Sequence, residues 1–241
     1  MKDILNVMWF DFLTTKPIIL PVFAVIAVMC GVMGLFFSPL MYMFVVMAAV
    51  MFIVPLEAVA DKSGFHKLYG ILPVSRKNIT RGRFQFLFWV LFIVEIFSLL
   101  MVKAAVMLQL YRLLPNQNTE TMQLVAATFN EESSKCFSVI AGIFVVMCLG
   151  FAYMQMMGQI FGQENEMKIV MITLAALTVG SLAFFQLDAV GVIPHITFLP
   201  DFDAMTSRQR ILYYIGMNLV TFGITTVFGE ITAAKIAKRE L

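Results

Sequence analysis

Charge is what this chain has least of. Only 13% of its 241 residues are Asp, Glu, Lys or Arg, against about a quarter in a soluble domain. Hydrophobic residues make up 61%, phenylalanine alone contributes 24, and the mean hydropathy is +0.89. That balance excludes a water-soluble globule and predicts an integral membrane protein. A net charge of +2 is too small to argue for nucleic acid. The three cysteines, Cys30, Cys136 and Cys148, fall in or beside apolar runs with no metal or redox spacing, so they read as small core residues. Histidine is nearly absent too, with only His66 and His195. There is no H-E-x-x-H, G-x-S-x-G or GxxxxGK[ST] pattern. Intramembrane catalysis needs a nucleophile with a base in reach, or metal ligands converging at one depth. Neither set assembles here, so the chain is expected to be no enzyme and to bind no cofactor of its own.

What is present is long apolar runs. From Pro17 to Leu56 no charged residue occurs, about twice the roughly 20 residues that span 30 Å of hydrocarbon. Ser38 and Pro39 in "FFSPL" break this run into two helices. Further runs bring the expected number of spans to six, at about 17–37, 39–58, 83–111, 136–160, 169–187 and 211–233. The expected fold is thus all-α, a single polytopic transmembrane domain over residues 1–241. The N-terminal "MKDILNVMWFDFLTTK" is too charged for a cleaved signal. Its Ile4, Leu5, Met8, Trp9, Phe12 and Leu13 recur at helical spacing, which predicts an interfacial helix over residues 1–16.

With the N-terminus on the cytoplasmic side, twelve Lys and Arg residues fall inside and four outside, leaving Lys103 within a span. The positive-inside rule then places both termini in the cytoplasm. The outer stretches, Arg112 to Lys135 and Asp188 to Arg210, read as loops, the second dipping into the interface.

Inside the third span, Glu95 lies near mid-bilayer and Lys103 two turns further on, about 80° around the helix. Charges at that depth are expected to face protein or a cavity. Glu95 is either a polar lining or gating element, or a carboxyl that orders helix packing. Gly158 and Gly162 form a G-x-x-x-G step that permits close helix contact.

The most structured loop runs from Glu57 to Arg83 and is cytoplasmic in this topology. Phe65, Leu68, Tyr69 and Leu72 repeat at i, i+3, i+4 and i+7, the stripe of a short amphipathic helix. Pro73 ends it, and Ser75 is placed to cap the next helix, whose first turns carry Arg76, Lys77, Arg81 and Arg83. A lipid-phosphate anchor accounts for these charges but not for the ordered stripe.

The segment "DKSGFHKLYGILPVSRKNITRGRF", with "LPVSRK" from Leu72 to Lys77 at its centre, resembles the cytoplasmic segment of the small six-span bacterial ABC-2-type transporter permeases. After Asn78, "ITRGRF" departs from that family's usual run. The resemblance implies that residues 57–83 form a coupling region docking on a separate ATPase. Its expected contacts are Asp61, Lys62, Phe65, His66, Leu68, Tyr69, Leu72, Pro73, Ser75, Arg76, Lys77 and Arg81. It further implies an exporter subunit in a bacterial cell membrane, paired with a second permease copy as homodimer or heterodimer. ATP and Mg would be bound by the partner. The cargo would be a hydrophobic or amphiphilic molecule such as a peptide, antibiotic or lipid. The alternative is an ATP-independent membrane scaffold or immunity-type binding protein.

Overall fold

The computed structural model describes residues 2–50, 74–113, 119–162, 165, 168–176, 178–179 and 205–238. Among them there is no strand. Helix α1 is Lys2–Phe36, α2 Tyr42–Ala49, α3 Arg76–Leu108, α4 Thr119–Phe161 and α5 Ser207–Ala237, with a further helical stretch at 168–176. Three of them contain segments long and apolar enough to cross a membrane: Arg76–Leu108, Lys135–Phe161 and Arg208–Ala237. A fourth is formed if the two halves of α1 act as one span. The chain is therefore an all-helical membrane protein with three to four candidate spans among the described residues. The expected second span has only residues 39–50 described, and the fifth only 169–176 and 178–179.

Burial reverses the pattern of a soluble bundle. On the first half of α1, Val7, Asp11 and Thr15 are buried at four-residue spacing, whereas Leu5, Trp9 and Leu13, also four apart, are exposed. On α5, Asn218, Thr221, Thr225 and Thr232 turn inward while Leu219, Val220, Val227 and Ile231 face out. Water would penalise that arrangement. Hydrocarbon favours it, because the apolar side chains are at home in lipid and the polar ones are shielded by neighbouring helices.

Helix α1 is bent by 76° between Lys2–Pro17 and Leu20–Phe36. Pro17 and Pro21 each lack a backbone donor and clash with the preceding turn. Just before them, the Thr14 and Thr15 hydroxyls donate to the carbonyls of Phe10 and Asp11, at 2.9 and 3.0 Å, a pairing that also favours bending. The first half is thus an arm set apart from the rest of α1. The expected break at Ser38 is present: α1 ends at Phe36, Ser38 is extended, and Pro39 opens a short 3-10 turn.

Helix α3 is the hub and packs against α1, α2, α4 and α5. At its centre Phe88 stacks on Phe92 and meets Phe144 of α4 and Phe222 of α5 edge-on. Gln109, in the left-handed region at φ 48°, stops the helix at Leu108 instead of 111. Two expected loops are shorter than anticipated. Helix α4 begins at Thr119, so much of the stretch read as a loop up to Lys135 is helical. No Pro or Gly lies between Thr119 and Ala141 to interrupt it, and Phe129 is buried against the core. Helix α5 begins at Ser207, where Thr206 and Gln209 form a capping box.

Candidate functional site

Two sites stand out along α3, one at its basic end and one in its far half. At the basic end Ser75 caps the helix, its hydroxyl accepting from the Asn78 N–H at 3.3 Å. This is the expected cap. The Asn78 side-chain amide donates to Asp3 of the arm at 3.4 Å. One turn on, Arg81 pairs with Glu230 of α5: Nη2 donates to Oε2 at 2.6 Å, while Nε stands 2.6 Å from Oε1 without hydrogen-bond alignment. Gln85, another turn on, donates to the Thr226 hydroxyl at 3.1 Å. Beneath these bonds Gly82 lets the arm approach closely. A Cβ there would stand 2.7 Å from Val7 Cγ1 and 2.9 Å from Val7 Cβ. Ile79 and Val7 are buried together, with Phe10 and Val74 packed around them.

Of the expected coupling residues, Ser75, Arg76, Lys77 and Arg81 are thus located. Arg76 and Lys77 are exposed, and Arg81 is turned toward α5. Arg83 is buried, so it is not part of the exposed basic surface. Asp61, Lys62, Phe65, His66, Leu68, Tyr69, Leu72 and Pro73 lie outside the described residues.

In the far half, Glu95 is completely buried, its carboxyl near the Tyr214 side chain but without a well-formed hydrogen bond. Tyr214 of α5 is its polar neighbour. The Tyr214 hydroxyl, the Ser98 hydroxyl one turn along α3 and the Asn218 side-chain oxygen one turn along α5 also lack partners. Asn218 spends its amide on the Tyr214 carbonyl at 3.0 Å. Tyr214 and Asn218 border a cavity of about 280 Å³ walled by Phe88, Phe92 and Phe222. Glu95 therefore lies between helices, as a carboxyl at that depth requires.

Lys103 does not join it. The 80° turn between the two carries Lys103 to an exposed face near the end of α3, from which its long side chain can reach the interface. Of the expected protein or cavity surroundings, the described residues of the single chain thus do not supply a protein wall at Lys103. Gly162, the second glycine of the expected packing step, packs on nothing. Gly162 has φ +87° and nothing within 4 Å of a built Cβ, and its N–H closes on the Gly158 carbonyl at 2.9 Å. It terminates α4, a role glycine fills because only it enters that conformation without strain. Close approach occurs instead at Gly82, at Gly34 against the Tyr42 ring and, less tightly, at Gly229 against Phe84.

Among the described residues no group of three or more His, Cys, Asp or Glu could hold a metal. No protein-family model, curated protein or solved structure matches the chain.

Proposed function

We propose that this chain is the membrane permease subunit of an ATP-binding-cassette exporter, driven by a separate ATPase and paired with a second permease copy. The reading rests on the "LPVSRK" run and is carried by one structural observation. The helix that begins at the Ser75 cap runs unbroken through 33 residues and is tied in its first three turns to both ends of the chain. Asn78 reaches Asp3 of the arm, and Arg81 reaches Glu230 of the last helix. A force applied by an ATPase to the coupling region before Ser75 would be passed to α1, α3 and α5 together. In this reading six spans enclose the path, both termini face the cytoplasm, and the arm lies along the interface. The buried polar groups at Glu95 and Tyr214 suit an amphiphilic cargo better than a purely apolar one.

The test is co-purification with an ATPase encoded beside this chain, together with its ATP turnover. Leu68→Ala and Tyr69→Ala each remove an apolar anchor from a helix-in-groove contact, commonly about 1 to 3 kcal/mol at a hot spot. Assembly or stimulated turnover should fall by about tenfold or more while the permease stays folded. Loss confined to a variant with Arg76, Lys77, Arg81 and Arg83 all changed to Gln would mark the coupling region as a lipid anchor and refute the coupling role.

A further inference from the structure

The arm does not lie flush on the bundle. Between it, α3 and α5 runs a groove of about 600 Å³, joined through Leu5, Met8, Trp89 and Ile93 to a second hollow of about 420 Å³ between the arm and α3. The first volume is within the roughly 300 to 1,000 Å³ of single-ligand sites. Its walls are graded. Toward the basic end are Arg81, Glu230, Gln85 and Thr226. Toward the middle of α3 the lining becomes Trp89, Ile93 and Phe222, and the adjoining hollow is apolar throughout. Trp89 and Ile93 are 41% and 63% exposed, so the groove opens sideways to whatever surrounds the bundle.

We infer that this groove holds one phospholipid, its acyl chain along Trp89 and Ile93 and its anionic phosphate at Arg81 and Lys77. Charge complementarity selects the occupant. Lys77 and Arg81 are four residues apart and share a face of α3, and Lys77 is close enough to Glu230 to act on its charge. Only Arg81 and Glu230 of these line the groove; with Arg76 and Lys77 just beyond them and Asp3 bonded to Asn78, three cations and two carboxylates leave a net charge of +1 at this end, a match for a phosphodiester. A fully apolar guest would leave that end unused. A soluble anion would leave the aromatic wall unused. The inference is independent of any ATPase or transport activity.

The chain supplies its own probe. Its only tryptophans, Trp9 and Trp89, both line the second hollow, and Trp89 alone lines the first. A Trp9→Phe chain is reconstituted in phosphatidylcholine bilayers containing a rising fraction of phosphatidylglycerol or phosphatidylcholine with brominated acyl chains. Trp89 emission should reach half its full quench at a mole fraction of brominated phosphatidylglycerol at least threefold lower than for phosphatidylcholine. Lys77→Gln, at an exposed position, and Arg81→Gln should each bring the two curves together. Equal curves in the Trp9→Phe chain overturn the site, as does a preference that survives both substitutions. General enrichment of anionic lipid around basic residues would give Trp9, in a Trp89→Phe chain, the same preference as Trp89. That result overturns it as well.

Discussion

The two halves of α3 handle polar groups in opposite ways. In its first three turns Ser75 caps its own helix end and most polar side chains bridge to other elements, Asn78 to the arm and Arg81 and Gln85 to α5, with only Arg81 Nε and two nitrogens of Arg83 left buried without hydrogen bonds. From Glu95 onward the polar groups are more deeply buried yet unmatched, with Glu95, Ser98, Tyr214 and Asn218 all carrying oxygens without hydrogen bonds. Satisfied networks rigidify, whereas unsatisfied buried groups raise the energy of the state that holds them. The basic end is therefore a frame. The far half favours any rearrangement, bound water or guest that supplies donors to Glu95.

The largest effect that would break this contrast lies in the frame. Gly82→Leu would drive a side chain into Val7 and the Ile4 carbonyl, which a built Cβ already meets at 2.7 and 3.3 Å. Overpacking of this kind costs about 1 to 3 kcal/mol and here has backbone on one side. The arm should detach, seen as a lowered melting temperature in detergent and faster proteolysis at Lys2 and Lys16. An unchanged melting curve and cleavage pattern would mean that the arm is not docked on α3.

Glu95 provides the opposite sign. Because no well-formed hydrogen bond holds its carboxyl, Glu95→Met should leave stability unchanged or raise it, by up to about 2 kcal/mol, since removing a poorly matched buried polar group relieves its desolvation. If the far half serves the cargo, transport should fall in the same variant, the usual cost of stabilising a functional site. A lowered melting temperature for Glu95→Met would show that the carboxyl is matched after all, and the contrast between the halves would vanish.

What could be read from the sequence was mostly local. The Ser38 and Pro39 break and the Ser75 cap each depend on a few adjacent residues, and both are present. The Thr206 to Gln209 capping box carried the same kind of signal, but it stood inside a stretch whose prolines and aromatics favoured a loop. Spacing alone could not reveal that Gly162 ends α4, because a G-x-x-x-G step looks identical whether its second glycine packs or ends a helix. The arm shows the deeper limit. Of its conspicuous apolar stripe, Leu5, Trp9 and Leu13 are exposed and Ile4, Met8 and Phe12 only half-buried, while the fully buried face of Val7, Asp11 and Thr15 has no hydrophobic period to reveal it. In a bilayer the buried side of a helix is marked by size and polarity, so the usual reading of amphipathicity points the wrong way. The Arg81 and Glu230 pairing, 149 residues apart, has no local trace at all.

That ion pair yields the smallest effect and the sharpest comparison. Its side chains are 30% and 48% exposed, so solvent and headgroups screen it, and exposed pairs contribute about 0.2 to 1 kcal/mol even with good geometry. Arg81→Gln, Glu230→Gln and the double variant form a cycle whose coupling energy should fall in that range and shrink as salt rises. The far half supplies the contrast, since a cycle between Glu95 and Tyr214 should give less stabilising coupling despite much deeper burial. If Glu95 and Tyr214 instead couple more strongly than Arg81 and Glu230, the rigid part of α3 is its middle, and force entering at Ser75 would be resisted at Glu95 and not passed across the basic end to α5.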